Sequence, residues 1–106
     1  MAKKTRPRGQ RREAARALSK LSKARQRLFE LELGGSPERP LPVVSAAVVE
    51  THAESMPCPL CDGKHEVVEH VAVTHAGIRL REARLRCRQC GTTRSAWFRI
   101  NGVGPN

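Results

Sequence analysis

Aromatic side chains are scarce in this 106-residue chain, which has no tyrosine and only Phe29, Trp97 and Phe98 to fill a core. A chain of this length supports one domain, and with so little aromatic bulk something besides apolar burial must stabilise it. Long apolar runs are absent too. No stretch approaches the roughly 18 residues needed to span a bilayer, and no hydrophobic segment of the secretory kind follows the basic N-terminal residues. The expectation is a cytoplasmic protein with no membrane partner. Acids are almost missing from residues 1–27, where Glu13 stands alone against eleven Lys and Arg, so the formal charge of +10 lies entirely in that segment. Residues 28–106 balance nine bases with nine acids, but unevenly: up to residue 78 eight acids meet only Arg39 and Lys64, whereas residues 79–99 carry seven arginines and the single acid Glu82.

What is present falls into segments. Residues 1–11 have no apolar periodicity and read as a disordered basic arm, either a nucleic-acid-binding tail or an Arg-rich transit segment. Ala14, Ala17, Leu21, Ala24, Leu28 and Leu31 then recur at spacings of three and four, which predicts an amphipathic basic helix over 12–33 stopped by Gly34-Gly35. Arg12, Arg16, Lys20, Lys23 and Arg27 line one flank of that stripe, with Ser19, Ser22 and Gln26 opposite. The stripe is half alanine and needs a surface to dock on, which the chain's own sheet, a second copy or a nucleic acid could supply. Pro37, Pro40 and Pro42 make 34–42 a linker. Strands are expected at 43–50, 66–74, 78–87 and 95–100, with a turn at His75-Ala76-Gly77 and a flexible tail at 101–106.

The sharpest pattern is Cys58-Pro59-Leu60-Cys61, 25 residues, then Cys87-Arg88-Gln89-Cys90-Gly91. Two residues between paired thiols let a tight turn aim both sulfurs at one ion, and two such turns complete the tetrahedral shell of a structural Zn²⁺. A redox pair or a disulfide switch is the other reading of a CxxC motif. If all four cysteines bind one structural ion, none is left as a nucleophile and no metal position is open to activate water. With no phosphate loop and no clustered Asp, Glu or nucleophile beside His52, His70 or His75, catalysis is not expected. His65 is a possible substitute ligand but is expected as a solvated loop residue, since four thiolates already fill the shell.

These motifs, Cys-Pro-x-Cys, a hairpin, Cys-x-x-Cys-Gly and a last strand carrying Trp97-Phe98-Arg99-Ile100, resemble the zinc ribbon of transcription elongation factor S-II and related RNA polymerase subunits over residues 56–100. The resemblance implies Cys58, Cys61, Cys87 and Cys90 as ligands of one Zn²⁺. Its cleavage-stimulating members carry an adjacent Asp-Glu pair at the hairpin tip. Thr74-His75-Ala76-Gly77-Ile78-Arg79 has no such pair, so transcript-cleavage stimulation is not expected.

In the third strand, Ile78 and Leu80 share one parity while Ala83, Leu85 and Cys87 share the other. A bulge near Arg81-Glu82 would reconcile them and place Arg79, Arg81, Arg84, Arg86 and Arg88 on one face. That row suits phosphate contacts, unless Glu66 and Glu69 neutralise it across the hairpin. Trp97 either stacks on a base or covers the core. The predicted fold is a small α+β protein, an N-terminal basic helix plus a zinc ribbon of three to four antiparallel strands. The expected function is a non-enzymatic module that binds DNA, RNA, or a machine such as RNA polymerase or the ribosome. Its contacts would be Lys3, Lys4, Arg6, Arg8, Arg11, the helix bases and the strand arginines. The alternative is a protein-protein adaptor using the Ala/Leu stripe.

Overall fold

A computed structural model describes residues 7–101 and gives a small α+β fold with a four-stranded mixed sheet. The expected disordered residues Met1 to Arg6, with the candidate contacts Lys3, Lys4 and Arg6, lie outside the described residues, as does the expected tail beyond Asn101. Helix α1 spans Pro7–Leu31 and so begins five residues before the expected start. Proline suits a first helical position, where its fixed φ is already helical and its missing N–H would have had no partner. The helix ends at Leu31, whose carbonyl accepts a hydrogen bond from Arg39 Nη1 at 2.9 Å, and Gly34 at φ 87° redirects the chain.

Strand β2 (His65–His75) and strand β3 (Ile78–Cys87) form the long hairpin, joined by Ala76 (φ 49°) and Gly77 (φ 79°). Two consecutive positive φ angles give the tight turn whose twist matches its strands, and Gly77 adopts its half without steric cost. Strand β4 (Thr93–Ile100) pairs antiparallel with β3. Strand β1 (Leu41–Val43) adds in parallel to the far edge, Leu41 beside Phe98 and Val43 beside Ile100. The sheet order is β1-β4-β3-β2.

The strand expected over 43–50 is corrected. Only Val43 of it belongs to a strand. A 3-10 turn (Ala46–Val48) leads into helix α2 (Val49–Ser55). The valine-rich run has high β propensity, but the apolar sheet face needs a cover, and Val49 and Ala53, four apart on one side of a helix, supply it. Both are fully buried against Ala83, Leu85, Ala96 and Phe98. The expected linker is corrected as well. Gly34 and Gly35 are buried, Trp97 N donates to Gly34 O at 2.7 Å, and β1 starts at Leu41, so this stretch is a strap tied to β4.

The bulge lies elsewhere than expected. Strand β3 pairs with β4 without a break from Arg81 to Arg86, and the irregularity falls in β2 between Val67 and Glu69. The parity change has another cause: both faces of β3 are covered. Ala83 and Leu85 lie under α2, whereas Leu80, 3% exposed, lines a recess with Pro37 and Pro40 of the strap.

Phe98 is the largest fully buried side chain. Phe98→Ala is expected to destabilise the fold by about 3–5 kcal/mol, read as a lower midpoint in chemical denaturation.

Candidate metal centre

Strand pairing brings the four cysteines together. In the antiparallel hairpin His65 stands opposite Cys87, so the chain entering β2 and the chain leaving β3 emerge at the same end. Each carries a Cys-x-x-Cys turn there, and Arg88 N donates to Lys64 O at 2.8 Å between the two turns.

The two turns repeat one geometry. Asp62 N donates to Cys58 O at 2.8 Å and Gly91 N to Cys87 O at 3.0 Å. Cys58 N donates to Gly63 O and Cys87 N to Thr92 O, each at 2.9 Å. Asp62 (φ 60°) and Gly91 (φ 77°) occupy equivalent left-handed positions. Leu60 N points at Cys58 Sγ and Gln89 N at Cys87 Sγ, both at 3.4 Å, with Cys90 N also 3.4 Å from Cys87 Sγ. Such N–H donors favour the thiolate form.

All four Sγ atoms lie within 4.8 Å of one another. Cys58 and Cys90 sulfurs are 3.7 Å apart, and those of Cys61 and Cys87 3.4 Å. These separations are far beyond the roughly 2.05 Å of a disulfide, and they approach the roughly 3.8 Å edge of a tetrahedron with metal–sulfur bonds of about 2.3 Å. Donor type, number and spacing therefore fit one tetrahedral ion. Cys58 and Cys87 are buried and Cys90 is exposed. Hydrogen bonds from Thr92, first through its hydroxyl and then through its backbone, draw the Cys90 thiol down to about 6. Cys61 moves the other way: the Gly63 N–H favours its thiolate, but burial and the three neighbouring thiols push it up to about 12.

Behind the sulfurs lies a pair of residues that the sequence pattern did not single out as a site. His65 is buried, not solvated as expected. Its Nδ1 is 2.7 Å from Met56 O, and its Nε2 meets Arg94 Nη1. With Nδ1–H donating to the carbonyl, Nε2 is free to accept from the guanidinium. Burial, and after it the nearby Arg94 charge working against the Met56 carbonyl, holds His65 below its usual range, in the neutral form this contact needs. Arg94, 8% exposed, also donates from Nη1 to Cys58 Sγ at 3.3 Å. A signal for Arg94 was available: it shares strand parity with Ala96, Phe98 and Ile100, the apolar side of β4.

The arginines of β3 do not form one row. Without a bulge in β3, Arg79 and Arg81 alternate onto the opposite face from Arg84 and Arg86. Arg84 Nη1 lies 2.6 Å from Glu69 and its Nε 3.6 Å from Glu82. Arg86 pairs with Glu66, as does Arg88 at 3.8 Å. Glu66 is held below the usual carboxylate range, first by its hydrogen bond from Arg86. Trp97 is half-buried and lines one open recess together with Ser22, Lys23 and Gln26 of α1.

Helix α1 also departs from expectation. Leu18, Leu21, Leu28 and Leu31 are 46–65% exposed, so the Ala/Leu stripe does not dock on the sheet. The helix is attached by its other side, where Phe29 is buried and Gln26 Oε1 accepts from Arg94 Nε at 3.1 Å. Arg11, Arg12, Arg16, Lys20, Lys23 and Arg27 are exposed, together with Arg25, which the flank pattern omitted. Among the described residues no helix is long and apolar enough to cross a membrane.

Comparison with protein-family models, with curated proteins and with solved structures gives no match.

A Cβ at Gly63 would stand 3.0 Å from Cys87 Sγ, 3.1 Å from Cys61 Sγ and 2.8 Å from Gln89 Cβ. Gly63→Ala should therefore spread the sulfurs and lower Co²⁺ affinity by about tenfold or more, read by titrating the thiolate-to-Co²⁺ absorption. Because metal binding must displace at least the Cys61 proton, affinity should fall about tenfold for each pH unit lowered between 8 and 7.

Proposed function

We propose that this chain is a non-enzymatic binding module held together by one structural Zn²⁺, and that the basic edge of α1 binds nucleic acid, alone or within a machine such as RNA polymerase or the ribosome. The zinc assignment is supported by four clustered sulfurs with no oxygen or nitrogen donor among them, a soft set that zinc shares with few other ions. On this reading Cys58, Cys61, Cys87 and Cys90 hold the ion in a closed shell, which supplies folding energy on the order of 10 kcal/mol and no chemistry. A place in a transcription or translation machine is supported by the motif resemblance to the S-II ribbon.

One observation carries the nucleic-acid reading. Arg12, Arg16, Lys20, Lys23 and Arg27 are exposed along one edge of α1, and none of the ion pairs among the described residues uses them. Arg84 and Arg86 of β3, and Arg88 just beyond it, by contrast already face carboxylates. From residue 12 to residue 27 the helix rises about 22 Å, which at about 3.4 Å per nucleotide is the length of roughly six phosphates on one strand. Such contacts fix position without reading sequence. The open Ala/Leu stripe beside this edge favours a second reading, a helical protein partner, with the bases steering it toward an acidic surface.

If the five bases engage phosphates, the logarithm of affinity for a short duplex should fall against the logarithm of salt with a slope of about −4.5. Changing each to Gln, which preserves helix propensity, should reduce that slope by about 1. Fluorescence anisotropy across a salt series measures both. A flat salt dependence, or binding abolished only by polar substitutions at Leu21, Leu28 and Leu31, would replace this reading with the adaptor.

A further inference from the structure

Arg94 is a buried cation with no carboxylate partner among the described residues, although the surface arginines Arg84 and Arg86 on the neighbouring strand, and Arg88 just beyond it, are paired with Glu66, Glu69 and Glu82. Its contacts are Cys58 Sγ at 3.3 Å, His65 Nε2, Gln26 Oε1 at 3.1 Å and the Phe29 ring, 5.7 Å from centroid to Cζ, while Nη2 has no partner. A buried guanidinium without a counter-charge is costly. One negative group is within reach, the sulfur cluster: four thiolates around a dication keep a net double negative charge, and Cys58 Sγ is its point of contact with Arg94. The two helix residues that touch Arg94, Gln26 and Phe29, are also the only two of α1 from Gln10 onward that are not exposed. The guanidinium thus has the metal centre on one side and the anchor of the basic helix on the other.

We propose that Arg94 is a positioning residue that couples metal occupancy to the docking of α1, so that the basic helix is held against β4 only while the four cysteines are loaded. The proposal rests on the metal site argued above. With the ion bound, the tetrathiolate compensates Arg94, which keeps its fork fixed between His65 and Gln26 and its face on Phe29. When the ion leaves, nothing fixes Cys58 Sγ against the guanidinium, which turns to water and removes the surface on which Gln26 and Phe29 rest. The freed helix then frays, because an isolated helix of this length is marginal. Coupling of this kind is reciprocal: whatever loosens the helix weakens metal binding by the same factor.

Trp97 is the sole tryptophan and lines the recess between β4 and Ser22, Lys23 and Gln26 of α1, which opens to water if the helix leaves, so its emission reports docking without any label. The experiment uses the full chain loaded with Co²⁺ and compares wild type, Arg94→Gln and Phe29→Ala. Arg94→Gln is expected to bind one Co²⁺ with the tetrahedral thiolate spectrum retained, while Trp97 emission shifts to the red and trypsin cuts after Arg25 and Arg27 about tenfold faster. Phe29→Ala replaces no ligand, yet is expected both to speed that cleavage and to lower Co²⁺ affinity. Unchanged emission and cleavage in Arg94→Gln would overturn the coupling, as would a Phe29→Ala protein whose helix is released at full Co²⁺ affinity. Should Arg94→Gln fail to fold, Phe29→Ala decides alone. No nucleic acid is present in these measurements, so the coupling and the phosphate-binding reading stand or fall separately.

Discussion

Four sulfurs gathered at the open end of one hairpin are the constraint on which the rest of this structure depends. Packed this closely as thiolates they repel one another, and an ion among them turns that repulsion into the strongest single tie in the molecule. The core could not replace it. Phe98, Leu85, Val43, Val49 and three alanines make one thin apolar layer between sheet and α2, little for a chain that must order both a long hairpin and a projecting helix. An ion held by the four sulfurs would close the end of the hairpin where the strands would otherwise fray, and the Ala76-Gly77 turn closes the other.

The molecule divides its charges according to what they must do. On one face of the sheet Arg84 and Arg86 of β3 meet Glu69 and Glu66 of β2 and cancel locally, so they serve mainly to keep an exposed face hydrated and in register. On α1 the bases are left uncompensated. The result is elongated, 75 × 26 × 15 Å, a compact body with the four-sulfur cluster, from which a cationic rod extends.

Features set by neighbours in sequence were legible before any coordinates, and features set by neighbours in space were not. The knuckles, the hairpin turn and the limits of β3 follow from Cys-x-x-Cys spacing, Ala76-Gly77 and alternation, all of which act within a few residues. The run from Val43 to Glu50 misled because its valines suit a strand, whereas the bare face beneath them required a helix. The parity change at Leu80 was visible, but its cause, a strap of prolines covering the second face, comes from forty residues away. The docking side of α1 was hidden for a related reason: its leucines formed the obvious stripe, and the single Phe29 outside that stripe made the attachment. His65 and Arg94 were concealed by their polarity, since a charged residue in a short strand reads as solvated until its parity with Ala96 and Phe98 is followed through.

The irregularity between Val67 and Glu69 matters beyond register. Strand β2 is the open border of the sheet, where unpaired amides could recruit a neighbouring molecule and start an intermolecular ladder. An extra residue there bends the border and breaks its rhythm, and Glu66 and Glu69 add charge on either side. The same kink that shifts the hairpin by one residue therefore guards against end-to-end growth into aggregates, a protection that a thinly packed protein with a long bare hairpin needs.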